Sequence, residues 1–209
     1  MFQKLFLFTL KRLVILSIAG IVISVLHSED LIVVLVLAFF TSLIYLRKRK
    51  SKNFKIYFLG FFISGIGGIL AESWGINSGL WTYHDLSDGR EFPYWLPLAW
   101  GLAFSFLYSF EEYFIKNLKL KSLKSKITLT ILSSILLPTI GEIVTVQLGV
   151  WTYHSELKIF GIPLYAMALL GLFHTATFLV LYAVNSYWKM HDPVFSSKTF
   201  PKLQTEANS

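Results

Sequence analysis

The sequence predicts an all-α polytopic membrane helix bundle of about six transmembrane helices, four of them forming a parallel two-helix tandem repeat. Three observations carry this. The 209 residues are 55% hydrophobic, 17% aromatic and only 15% charged, with a mean hydropathy of +0.60, whereas a soluble domain has about a quarter of its residues charged. Six apolar stretches approach the length of about 20 residues that a helix needs to cross a hydrocarbon core about 30 Å thick. The segment from Glu72 to His84 returns seventy residues later as Glu142 to His154, with the same carboxylate, glycine and Trp-Thr-Tyr-His run, and self-similarity at a fixed period signals a repeat architecture.

The spans are expected near 9–27, 30–46, 54–74, 93–115, 127–148 and 160–187. This divides the chain into two N-terminal helices (1–50), a first repeat (51–120), a second (121–190) and a cytosolic tail (191–209). The first two spans are short between charges, and Lys11 and Arg12 can snorkel to the headgroups to lengthen the usable span. In the third, Gly65, Gly68, Glu72, Gly75 and Gly79 fall at alternating spacings of three and four, one stripe of a helix without side-chain bulk except the carboxylate. Such a stripe lets another helix approach closely in lipid. The fourth and sixth spans begin near Pro93 and Pro163, where a missing amide proton does no harm. The fifth carries the stripe Ile135, Pro138, Glu142, Thr145 and Gly149, with Pro138 expected to kink it. The tail is polar, contains two prolines and is expected to be mobile.

Charge supports the count independently, because short cytoplasmic loops collect Lys and Arg. Of 19 such residues, all but Arg90 and Lys158 fall at the leading end of the first span, in 47–55, in 116–126 or after the last span. That places both termini in the cytoplasm and both Trp-Thr-Tyr-His runs at the opposite face, in what is read as the inner (plasma) membrane of a bacterium. The net charge of +7 then reflects topology and attraction to anionic lipid rather than nucleic acid. The absence of cysteine excludes disulfides, thiolate metal sites and a cysteine nucleophile.

Glu72 and Glu142 stand out as chemistry. Each lies seven residues before the helix-ending glycine, about 10 Å below the outer face at 1.5 Å per residue, and a carboxylate at that depth costs at least ~2.5 kcal/mol unless it faces protein or water. Two carboxyls sharing a cavity can divide into a protonated acid and a base, the division that proton-transfer catalysis requires. The structural alternative has each glutamate bonding the opposite repeat, through Asn77, Gln147, Thr145 or a tyrosine hydroxyl. Trp81, Tyr83, Trp151 and Tyr153 read either as interfacial anchors or, with Trp100, His84 and His154, as groups contacting a substrate. His174 breaks the repeat, since Phe104 holds the equivalent place, and is expected level with the glutamates. The histidines with Asp85, Asp88 and Glu156 offer a weak cation-binding pattern, as does Asp85-Leu86-Ser87-Asp88, and no metal is assigned. Glu111 and Glu112 are expected to pair with lysines at the cytoplasmic interface. No nucleotide loop, redox motif or covalent triad is present, and no cofactor is expected.

The pattern Glu72, Gly79, Trp81, Tyr83, Pro93, Pro97 and Trp100, echoed by Glu142, Gly149, Trp151, Tyr153 and Pro163, resembles membrane carotenoid biosynthesis enzymes, the carotenoid hydratases and more loosely the small lycopene cyclases. The resemblance covers the last four spans. It implies a cofactor-independent hydratase, cyclase or isomerase acting by acid–base chemistry on a lipid-soluble isoprenoid, with membrane lipid and that substrate as partners. Two rival readings are a small transporter or lipid-translocating protein, and a non-catalytic scaffold.

Overall fold

The computed structural model describes residues 1–86 and 89–196. The order is α1 (Phe2–Leu26), α2 (Asp30–Lys48), α3 (Phe54–Asn77), β1 (Trp81–Tyr83), α4 (Leu96–Leu118), α5 (Leu123–Gln147), β2 (Trp151–Tyr153), β3 (Lys158–Ile159), β4 (Ile162–Pro163) and α6 (Leu164–Tyr187). The fold is a six-helix bundle with two small strand pairs, which the helical periodicity did not predict. Five helices are long and apolar enough to cross a membrane; α4 is the exception. It carries Glu111, Glu112 and Lys116, and it is enclosed by α2, α3 and α5. A helix walled in by protein needs no apolar coat, so hydropathy underrates it.

Helices α3 and α5 end in the same way. Gly79 and Gly149 sit at φ 68° and 81°, where a side chain would be strained. Leu80 N–H then reaches back to the Gly75 carbonyl and Val150 N–H to the Thr145 carbonyl, at 2.9 and 3.0 Å. These Schellman turns aim both Trp-Thr-Tyr runs across the bundle end, where they pair antiparallel with Thr82 opposite Thr152. The outer bonds are reciprocal: His84 Nε2 to Thr152 Oγ1 and His154 Nε2 to Thr82 Oγ1, both 2.8 Å. Since β1 and β2 share one end of the bundle, α4 must return along its full length to reach α5.

The small-residue stripe of α3 receives α4. A methyl group at Gly68 would fall 2.2 Å from the Trp100 ring, and one at Gly65 2.9 Å from the Pro97 carbonyl. The partner is thus the next helix in the chain. Gly79 leaves the stripe and serves as the cap. Helix α5 packs on α6 and on α1, and it runs unbroken through Pro138.

The tail corrects an expectation. Residues 191–196 are not loose: Asp192, Val194 and Phe195 are buried, and the two apolar side chains join the core formed by Tyr57, Phe104, Tyr108 and Phe178. Asp192 Oδ2 accepts from Tyr108 OH at 2.6 Å, and its Oδ1 from Val194 N–H at 2.8 Å. Lys126 Nζ donates to the Pro193 carbonyl at 2.6 Å and also to the Ser196 carbonyl. The segment caps the end of the bundle opposite the strands. Residues 197–209 lie outside those described, as do Ser87 and Asp88 of the acidic run.

Candidate functional site

Glu72 lies five residues before the end of α3, about 7–8 Å below it at 1.5 Å per residue. It is buried, and three donors hold it. Oε2 accepts from Trp81 Nε1 at 2.9 Å and Tyr83 OH at 3.1 Å, and Oε1 accepts from Trp100 Nε1 at 3.1 Å. Strand alternation explains the first two, since residues 81 and 83 share one face of β1. Trp100 arrives because Gly68 leaves room for its ring. The donors come from Glu72's own copy of the motif, not from the opposite repeat.

Glu142 sits at the matching position of α5, half-buried. Among the described residues its one donor is Tyr153 OH, at 2.9 Å. The place corresponding to Trp100 is Leu170, which has no proton to offer. The two carboxyls are connected through aromatic rings: Trp81, bonded to Glu72, lies edge-on 5.8 Å from Tyr153, bonded to Glu142, and Tyr83 lies 5.4 Å from Trp151. Trp100 also packs 4.7 Å from Phe173. Burial first, and then the adjacent glutamates, push both tyrosine hydroxyls well above the ordinary value, which keeps them protonated donors. Trp81, Tyr83, Trp100 and Tyr153 therefore bond the carboxyls directly, and Trp151 packs against Tyr83.

His84 and His154 do not join them. They alternate onto the outer, exposed face with Thr82 and Thr152. Asp85 is taken by His27, at 2.9 Å, and Glu156 is exposed. Among the described residues no three His, Asp or Glu side chains converge as metal ligands; Asp88 lies outside them.

His174 is also elsewhere. Its Nε2 lies 2.9 Å from Glu111 Oε1, which accepts a second bond from Ser133 Oγ at 3.1 Å. Glu111 and His174 are 1% and 4% exposed, so Glu111 is an interior group, and among the described residues it is Glu112 that meets lysines, Lys116 at 2.7 Å and Lys48 at 3.6 Å. Neighbours in a helix point about 100° apart, which separates the two glutamates completely. That angle, applied to the Glu-Glu pair, was the available signal.

A cavity of about 380 Å³ lies between α1, α5, α6 and the β3–β4 turn, lined by residues including Leu13, Leu136, Ile143, Phe160 and Met167. Neither glutamate lines it. Compared with family models, curated proteins and solved structures, the chain has no match, so its function is argued from this geometry and from the sequence.

Proposed function

We propose that the chain is a six-crossing integral membrane enzyme that uses Glu142 as acid and Glu72 as base on a lipid-soluble isoprenoid, of the hydratase, cyclase or isomerase kind. One observation carries the reading: like-placed glutamates are unequally bonded. Glu72 accepts at both oxygens, the posture of a base, whereas Glu142 keeps one oxygen free to carry a proton. Protonation of a carbon–carbon double bond by Glu142 leaves a carbocation, which the π faces of Trp81, Trp100 and Trp151 stabilise. Water then adds and gives its proton to Glu72, or an allylic proton passes to Glu72 directly. Both routes balance without a cofactor, and the cycle closes when the proton returns from Glu72 to Glu142.

The proposal includes a tandem duplication related by an approximate twofold axis between Thr82 and Thr152, supported by the reciprocal bonds across the strands. It also includes a bacterial inner membrane with both termini cytoplasmic, supported by the bias of Lys and Arg. The likeness to carotenoid biosynthesis enzymes supplies the substrate class.

The test is mass spectrometry of lipid extracts from cells supplied with acyclic carotenoids and making the native chain or the Glu142→Gln variant. A product heavier by one water, or an equal-mass isomer, is expected with the native chain alone. Identical extracts from two folded proteins would sink the reading.

A second reading is favoured by the buried Glu111–His174–Ser133 group, which lies deeper in the bundle than Glu72 and Glu142: proton-coupled transport. It expects acidification of vesicles holding the purified protein and a pH-sensitive dye, abolished in Glu111→Gln. Vesicles that stay at constant pH would remove it.

A further inference from the structure

The cleft beside α5 has no role in the chemistry above, and its composition says what it can hold. It runs along two turns of α5, from Leu136 to Ile143, about 10 Å at 1.5 Å per residue, and continues to Phe160 on the β3–β4 turn, with Leu13 of α1 facing it. Its about 380 Å³ falls within the range of small-molecule sites, about 300–1,000 Å³. Two threonines are its only hydroxyl residues, and Thr139 already donates to the Ile135 carbonyl at 2.6 Å. Thr9, at the α1 side, is then the single hydroxyl left to a polar group among the lining residues, and the rest of the length is apolar, so the complement is a hydrocarbon chain.

The inner wall ties the cleft to the carboxyls. Ile143 and Met167 line it, and both also pack in the cluster that contains Tyr153, the donor to Glu142. Methionine is unbranched and adaptable, which suits a partition that must admit a chain end. Helix α1, which carries no copy of the repeated motif, gains a purpose as the opposite wall.

We propose that this cleft holds the chain of an isoprenoid substrate lengthwise, with Ile143 and Met167 separating it from Tyr153 and Glu142. The inference rests on the acid–base reading, which takes an isoprenoid double bond as the group that Glu142 protonates.

The experiment purifies the native protein, Leu136→Trp and Leu172→Trp from cells making acyclic carotenoids, and quantifies by mass spectrometry the lipids retained per protein chain. Leu136 and Leu172 are both exposed, at 58% and 67%, but only the first lines the cleft. Retention of isoprenoid by the native chain and Leu172→Trp, with loss from Leu136→Trp and no change in phospholipid, is the expected result. Thr9→Trp fills the cleft from α1 and serves in place of Leu136→Trp should that variant not fold. Equal isoprenoid retention by native and filled variants, or retention of phospholipid alone, overturns the proposal. The same extracts separate it from the enzyme reading. Isoprenoid held in the cleft but never converted refutes the chemistry and keeps the cleft, while full conversion by the filled variant does the reverse.

Discussion

Replacing Glu72 with glutamine tests whether the three donors around it are as the structure places them. An amide keeps one acceptor oxygen and turns the other end into a donor. In one orientation the new NH₂ faces Trp100 Nε1; in the other it faces Trp81 Nε1 and Tyr83 OH. The tyrosine can reverse its hydroxyl and accept, but an indole N–H only donates. Either way one indole loses its acceptor inside the bundle, at a cost of about 1–3 kcal/mol. For a chain of this length that is about 2–4 °C in melting temperature per kcal/mol. Glu142→Gln should cost no more than about 1 kcal/mol, because its single partner is a tyrosine that can accept instead. The assay is thermal unfolding in detergent of Glu72→Gln, Trp81→Phe, Trp100→Phe and the two double variants. One indole replacement should cost about 1–3 kcal/mol less in the Glu72→Gln background than in the native one, since its N–H is already unpaired there. Strict additivity for both indoles would refute the arrangement.

Gly68→Ala should displace Trp100, because the added methyl would lie 2.2 Å from the indole; a loss of about 1–3 kcal/mol with altered tryptophan fluorescence is expected, checked by melting and emission spectra. Asp192→Ala strands the buried Tyr108 hydroxyl and should cost about 1–3 kcal/mol, of which Tyr108→Phe in the same chain recovers part, measured by unfolding. Burial holds the Asp192 carboxyl above the usual aspartate range despite the Tyr108 hydroxyl and two backbone amides that favour its ionised form. The folded chain therefore binds that proton more tightly than the unfolded one, so its contribution is full at low pH and declines as pH rises from about 4 through the raised value. Over that interval the melting temperature of the native protein should fall relative to that of Asp192→Asn, which has no proton to lose there; parallel curves refute it.

Much of the bundle was legible because a lipid environment calls for long apolar helices, although α4, enclosed by protein, falls short of that hydropathy. The strand pair was not, since Trp-Thr-Tyr is only three residues and its pairing partner lies seventy residues away. Alternation within it decides the site: Trp81 and Tyr83 turn to Glu72, while Thr82 and His84 turn to solvent, and this removed His84 and His154 from the carboxyls. Helical geometry removed His174 for a similar reason, because α6 begins at Leu164 and carries residue 174 about 15 Å into the bundle, deeper than either repeated glutamate. The folded-back Asp192–Phe195 segment was hidden by its polar neighbours, although Val194 and Phe195 beside Pro193 marked an apolar pair with nowhere to go but the core.

The residues that differ between the copies bear most on chemistry. A repeated scaffold by itself would supply two equivalent carboxyls, which can share one proton but do not fix which of the two is the acid and which the base. In this chain the turns, strands and tyrosines recur, whereas Trp100 gives way to Leu170 and with it one of the donors on the carboxyl. Restoring that donor takes Leu170→Trp together with Pro138→Gly, because Pro138 stands where Gly68 makes room for the Trp100 ring; on the proposed acid–base reading the double variant should bring Glu142 toward the bonding of Glu72 and abolish the acid. A double variant that folds, gains the indole bond and still converts substrate at the native rate would show that the inequality of the two glutamates is incidental.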